Sequence, residues 1–512
     1  MADGLLVRGK WLVTGGSDAD RVLTDAAVFV TGDRIRDIGD WQKLRKNHPG
    51  AQVLGSDRVA VMPGLINAHH HSGGVSALQH GLADDLLEPW ILAHHRRRAS
   101  DLYLDTLLSA ARLLRSGVTA VVDVYSGSGS AEVLAQRLRR ALRAYDEAGL
   151  RVAFACGISD QSHLVHGAGE DARFLESLSP ELRAEAAALL PGAGEAMDQD
   201  DYFAVMAELW RDHRPHSRIE MWYGPPGPQW VSDGFWERIA AAAEAQDTGI
   251  QTHVNESLYE KLHGPRFYGT STLRHLQDLG VLGPRFSLAH GVWLNEEEIG
   301  ILAASGAAIA HNPSSNLRLR AGIAPLWTLL SSGATVALGM DGTSLNDDED
   351  IFTEMRLALR LQGAPMVTQQ VPRPAQIFEM ATTGGAKLMR RENMLGRLAP
   401  GYAADMVLVD LERVTWPWAA PEVDPRDYLL LRAQAGDVQR VLIAGETVFA
   451  DGKPTRFDAA AAGRALAEML AAQPFPTAAA ARVKALTPLI ESHYASWEEP
   501  SLHPHIVYNS KT

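Results

Sequence analysis

Between residues 61 and 390 the chain alternates between two hydrophobic patterns. Short, nearly continuous apolar runs lie over 61–67, 118–124, 151–158, 218–224, 249–254, 285–290, 306–310 and 335–340. Their length and β-branched content suit strands buried on both faces. Longer segments between them, such as 104–114 and 235–245, space apolar residues three and four apart, as on one helix face. Eight strand-then-helix units in succession predict an α/β fold, a closed (β/α)8 barrel of the TIM type with parallel strands inside and helices outside.

The two ends read differently. Leu5-Leu6-Val7-Arg8-Gly9, Ala27-Val28-Phe29-Val30 and 34–39 are short runs broken by Gly and Asp, the pattern of an antiparallel sheet. The same character returns over 395–401, 405–410 and 438–449. Both ends are therefore expected to build one small β-sandwich domain, with 1–60 as its first part, 61–394 as the catalytic barrel and 395–455 as its second part. Residues 456–512 open as an Ala-rich amphipathic helix and end polar, which predicts a helical C-terminal extension over the barrel mouth or against a neighbouring subunit.

Composition narrows the function classes. The 512 residues are 46% hydrophobic and 21% charged, ordinary for a globular chain with a large core. The net charge of −14 and the lack of a long basic stretch exclude nucleic acid as a partner. Arg96-Arg97-Arg98 reads as a solvated helix face. No apolar window of membrane-spanning length occurs, so no membrane partner is expected. The start, Met1-Ala2-Asp3-Gly4, lacks a basic region leading into an apolar one. The single cysteine, Cys156, excludes an internal disulfide and fits a reducing compartment, so a cytoplasmic location is expected. It sits in an apolar strand-like run and reads as a buried, inert thiol.

Barrel enzymes collect their chemistry at the C-terminal ends of the strands, where this chain places histidines. The first run ends Ala68-His69-His70-His71. Successive side chains on a strand alternate in direction, so His69 and His71 share a face and can share a metal ion. The fifth run ends in His253, with Glu256 three residues on; the sixth ends in His290, the seventh in His311, and the eighth leads to Asp341. His69, His71, His253 and Asp341 suit one divalent cation, Zn2+ first and Fe2+ second, with a position left for water. Such an ion lowers the pKa of its water toward neutrality. Glu256 and His290 are the candidates for moving protons, and Asp341 for holding the water as well as the ion.

These residues resemble the amidohydrolase superfamily, in particular its mononuclear branch of guanine and S-adenosylhomocysteine deaminases and triazine hydrolases. The resemblance rests on Pro63-Gly64-Leu65-Ile66-Asn67-Ala68-His69-His70-His71, His253-Val254-Asn255-Glu256, His311-Asn312-Pro313-Ser314-Ser315-Asn316-Leu317, Gly339-Met340-Asp341-Gly342 and the stretch from Leu395 to Asp405. It implies that His69, His71, His253 and Asp341 bind the metal, that Glu256 shuttles protons and that His290 contacts water or substrate. It also implies a homodimer or higher homo-oligomer. Many relatives bridge two metals with a carboxylated lysine on the fourth strand. No lysine lies between Lys46 and Lys261, which leaves only Glu220 or Cys156 as conceivable bridges and argues against hydantoinase-like and phosphotriesterase-like readings.

The substrate side is less specific. Gln79 and Trp90 lie in a stretch that resembles the pocket loops of the triazine hydrolases. Trp90 suits either a flat ring or core packing, as do Trp222, Tyr223 and Trp230. His311, Asn312 and Ser315 offer hydrogen-bonding groups for a ring edge. Asp347-Asp348-Glu349-Asp350 reads as a solvated helix start. The expected function is a metal-dependent hydrolase of small molecules: a hydrolytic deaminase of an aminated N-heterocycle (purine, pyrimidine, pterin or triazine), attacked by metal-bound hydroxide. The alternative is a related amidohydrolase that releases chloride or an amine from a triazine, urea or amide.

Overall fold

The computed structural model describes residues 4–15, 22–191, 197–364 and 367–499. Four strands precede the barrel: β1 (Leu5–Val13), β2 (Val22–Thr31), β3 (Arg34–Asp40) and β4 (Gln52–Pro63). The barrel strands are β5 (Leu65–His70), β6 (Val118–Ser126), β7 (Arg151–Gly157), β8 (Ile219–Tyr223), β9 (Ile250–Val254), β10 (Phe286–His290), β11 (Ala308–His311) and β12 (Thr335–Leu338). Each pairs in parallel with the next. The seam between β12 and β5 is closed by the N–H groups of Met340 and Asp341, which donate to the His69 carbonyl at 3.2 and 3.0 Å. The bonds that close the barrel thus also bring Asp341 beside His69.

One strand differs from expectation. The first barrel strand, predicted over 61–67, begins at Leu65, because Val61, Met62 and Pro63 continue β4 and pair with the end-domain strand β13 (Met406–Asp410). The apolar run is continuous in sequence, but the chain changes sheets at Gly64. A Cβ there would lie 2.0 Å from Thr119 Oγ1, so only glycine lets the two sheets meet this closely.

The outer helices form where apolar residues recur at helical spacing. Helix Ala131–Ala148 is capped by Ser130, whose hydroxyl accepts from Val133 N–H, and buries Leu134, Leu138, Ala141, Leu142 and Tyr145 on one face. Each buried leucine contributes about 2 kcal/mol of apolar transfer, so packing rather than propensity holds the helix.

The chain ends meet in a second eight-stranded sheet, ordered β16-β15-β14-β13-β4-β1-β2-β3, in which β14 is Val438–Ile443, β15 Glu446–Ala450 and β16 Lys453–Pro454. It is antiparallel except for the parallel pair β1–β4. The turn at Gly445 touches the turn at Gly32, so the sheet curls back on itself around Val28, Val61 and Met406. Arg151 at the start of β7 joins it to the barrel through a paired contact with Asp405 at 2.6 and 3.0 Å. Beyond the sheet run helices Ala459–Ala471 and Thr477–Ala495. Among the described residues no helix is long and apolar enough to cross a membrane.

Candidate metal centre

His69, at the end of β5, and His71 beyond it present one side of the strand. His70 turns the opposite way, to Ser109 Oγ at 2.7 Å and the Asp341 carbonyl at 2.9 Å, as two-residue alternation requires. Opposite them stand His253 near the end of β9, His290 at the end of β10, and Asp341 after β12. Ring centroids lie 5.0 Å apart for His69–His71, 4.9 Å for His69–His253 and 5.3 Å for His69–His290. Asp341 Oδ1 is 3.7 Å from His69 Nε2 and 3.4 Å from His71 Nε2, and its Oδ2 is 3.9 Å from His290 Nε2.

Each imidazole is fixed from behind through Nδ1. His71 donates to the Val124 carbonyl and His253 to the Pro226 carbonyl, both at 2.6 Å. His69 donates to Gln251 Oε1 and His290 to Asn316 Oδ1, both at 2.9 Å. Gln251 is itself oriented, since its amide donates to the Ala68 carbonyl. The proton therefore sits on Nδ1 and the Nε2 lone pair faces inward. His71 Nε2 and His253 Nε2 face each other at 3.1 Å, and His69 Nε2 is buried with no partner. Two lone pairs at that distance repel unless a cation lies between them. The donor set of imidazole nitrogens and one carboxylate oxygen fits a borderline divalent metal.

Electrostatics agree. Burial, then the neighbouring His71, holds the His253 imidazole down to about 3, and burial keeps His69 and His290 low as well. All three are neutral and ready to ligate. Burial works to raise Asp341, and a proton on His71, His69 or His290 would work to lower it; with the rings neutral, the Ser315 hydroxyl at 2.5 Å and the Gly342 N–H at 2.6 Å donate to the carboxylate and keep it ionised. Glu256 shows the opposite balance. Burial first, then Glu260, Asp341 and Glu88, pushes its carboxyl well above the usual range. Its Oε2 lies 3.4 Å from His290 Nε2 and its Oε1 has no partner. Asn255, His290 and Asp341 have φ of 52, 73 and 54°. Left-handed backbone in such residues costs of order 1–3 kcal/mol each, and here it gathers at one site, as strain does where geometry serves chemistry. Gly339 lets β12 pass this closely, for a Cβ there would meet Asn312 Oδ1 at 2.1 Å.

The centre opens into a cavity of about 820 Å³, lined at its inner end by His71, His253, Glu256 and Asp341 and farther out by Trp90 and Trp230. The other substrate-side residues lie elsewhere. Gln79 is exposed, accepts from Ser76 N–H and is outside the lining. His311 and Asn312 are fully buried and outside it too. Ser315, expected at a ring edge, instead holds Asp341. Trp222 and Tyr223 are packed in the core. Arg97 and Arg98, expected on a solvated helix face, line the cavity; the 3-10 turn His94–Arg96 ends before them, and they lie on extended chain rather than on a helix. In the acidic cluster, Asp350 caps helix Ile351–Arg360 and Asp347 pairs with Arg318. Glu220 pairs with Arg391, and Cys156 is buried. Neither belongs to a metal-holding group among the described residues.

Sequence reasoning missed the supports. Gln251 carried a usable signal, since it stands two residues before His253 and hence on the same face of β9. Asn316 and Glu260, whose carboxylate accepts from Glu256 N–H at 2.6 Å, stand on short helices whose approach to the centre no periodicity reveals.

Residues 60–448 match the amidohydrolase family. A 5-methylthioadenosine/S-adenosylhomocysteine deaminase of Nitratidesulfovibrio vulgaris is 31% identical over 461 residues, covering 89% of this chain and 94% of that one. Among solved structures, an adenosine deaminase from Xanthomonas campestris with bound zinc superposes with a TM-score of 0.77 at 26% identity, over 92% of this chain and 99% of that one. Atrazine chlorohydrolase from Arthrobacter aurescens, complexed with zinc, shares the fold with a TM-score of 0.76 at 22% identity, over 91% of this chain and 100% of that one. The matched span takes in all eight barrel strands and every side chain of the centre, and the chain belongs to the amidohydrolase family.

Proposed function

We propose that this chain is a metal-dependent hydrolytic deaminase of an aminated N-heterocycle, with a purine or purine nucleoside as the first substrate class. One observation carries the metal: His71 Nε2 and His253 Nε2 face each other at 3.1 Å, with both rings donating behind them to carbonyls. His69, His71, His253 and Asp341 are the proposed ligands of one ion. Zinc is the first choice, since the fold neighbours named above carry it. The chain's own residues favour a single ion: β5–β9 carry no lysine, Glu220 pairs with Arg391, and Cys156 is a buried thiol that burial keeps protonated.

When bound, such an ion supplies Lewis acidity that makes water a nucleophile near neutral pH. The side chains then do the following. The ionised Asp341 accepts a hydrogen bond from the attacking water, and His290 fixes that water from the other side. The water oxygen bonds to the ring carbon bearing the amine, and the carbon–nitrogen bond breaks. Nitrogen leaves as ammonia, with protons passed from the water through Asp341 and Glu256. Glu256, kept protonated by burial, is suited to protonating nitrogen. Trp90 and Trp230 offer ring faces along the cavity wall.

Chloride departs without a proton, so a buried, protonated Glu256 favours an amine leaving group over a halide. The test is ammonia release across aminated purines, nucleosides, pyrimidines, pterins and triazines, with chlorinated analogues alongside. Ammonia from a purine-type ring is the expected result. Chloride or arylamine without ammonia from any ring would replace this reading with the alternative hydrolase.

A further inference from the structure

The family match ends at residue 448, yet the chain continues through helix Thr477–Ala495 to Trp497 and Glu498. That helix lies on the loops at the mouth of the barrel. Ile490, Tyr494 and Trp497 are buried in one apolar cluster with Leu92, Val165 and Tyr259. Each of these three partners belongs to a segment that shapes the cavity. Leu92 is on helix Leu87–Ala93, which carries Trp90. Val165 precedes His166, whose backbone N–H donates to Tyr494 Oη at 3.0 Å. The His166 ring stands edge-on to Tyr494 at 5.1 Å and to the cavity-lining Trp230 at 5.2 Å. Tyr259 lies 4.8 Å from Tyr494, ring to ring, and its hydroxyl donates to Glu498 at 2.7 Å. Tyr259 follows Glu256 by three residues. Between them Ser257 donates to Glu88 at 2.5 Å, and just beyond Tyr259 the Glu260 carboxylate accepts from Glu256 N–H at 2.6 Å.

Tyr494 is thus the shared contact of two walls. Through His166 it backs Trp230, and through Tyr259 it backs the segment carrying Glu256. We propose that the C-terminal helix is a working part of the substrate pocket, with Tyr494 as a positioning residue that sets the width the cavity offers to the substituent on the substrate's ring. The cavity, about 820 Å³, is in the range that encloses a drug-sized ligand rather than a bare ring, so choice among substituents falls to these walls. The proposal rests on the deaminase reading for its substrate but not for its structural consequence.

The test uses the full chain with Tyr494→Ala and Tyr494→Phe. KM and kcat are measured for an aminated purine base and for its nucleoside, and amide hydrogen exchange is followed over 86–93, 227–231 and 257–263. In Tyr494→Ala, KM for the nucleoside rises about tenfold while kcat changes little, and the preference for nucleoside over base narrows. Exchange in the three segments quickens by about tenfold, with the other barrel strands unchanged. Tyr494→Phe keeps the ring and restores most of the wild-type KM. An equal fall of kcat on both substrates, or unchanged exchange in the three segments in both variants, overturns the proposal. If the wild type releases no ammonia from either substrate, the purine assignment fails and hydrogen exchange alone decides the role of Tyr494.

Discussion

Each imidazole at the centre is held from behind through Nδ1, with Nε2 turned inward. The rear bond fixes the tautomer, and the tautomer aims the lone pair. His69 depends on a side chain for this, Gln251 at 2.9 Å, whereas His71 and His253 use backbone carbonyls. Gln251→Leu leaves the His69 ring free to turn and is expected to weaken zinc binding about 10–100-fold, read by competition with a chelating dye. Glu256→Gln keeps the size of the side chain and removes its acid. It is expected to lower kcat for ammonia release about 10²–10⁴-fold while metal content stays at the wild-type level. Loss of metal in that variant would place Glu256 among the ligands instead. The inward side chains were readable because a strand's two-residue period fixes which residues share a face, and one histidine after another stands at a strand end. The backbone acceptors behind His71 and His253 were not, because the carbonyls of Val124 and Pro226 carry no residue identity. Gln79 lay in a motif-like stretch, but a turn whose direction depends on long-range packing left it exposed.

At the scale of elements, apolar pattern decides more than local preference does. Helix Ala131–Ala148 is held by leucines that all face the barrel wall. Leu138→Ala is expected to cost about 3 kcal/mol, measured as a shift of the urea midpoint at constant slope. A cost below about 1 kcal/mol would mean that the site collapses around the gap. Strand positions were legible throughout the barrel because each run is bounded by turn residues. The exception is the crossing at Gly64, where one apolar run serves two sheets and hydrophobicity carries no mark of the change. The contacts of the C-terminal helix were hidden for a related reason. Its partners Val165 and Phe174 lie on the long connection after β7, the first in irregular chain and the second on the short helix Glu170–Ser177, and the path of such a connection is set by contacts rather than by period.

Across the whole molecule, buried acids give stability a pH dependence. Glu354, on helix Ile351–Arg360, is fully buried, and one of its oxygens lacks a partner. Burial raises its pKa from 4.5 to about 8. The unfolded chain loses this proton near the ordinary value, while the folded chain keeps it to about 8. The unfolded state therefore binds fewer protons in that window, and the stability from Glu354 falls as pH rises through it, on the order of 1 kcal/mol per pH unit. Urea unfolding from pH 5 to 8 is expected to show a smaller loss of stability in Glu354→Gln than in the wild type. Equal slopes would mean that the carboxyl is solvated when it ionises.

The barrel, the curled end sheet and the left-handed residues at three strand ends place one set of side chains around one point. That claim is tested most directly by metal analysis of the purified chain, wild type beside His71→Ala/His253→Ala and Asp341→Asn. The account predicts about one zinc or iron per wild-type chain and a loss of most of it in the double variant, with deaminase activity lost in parallel. A fully active metal-free wild type, or a double variant that keeps its metal, would contradict it.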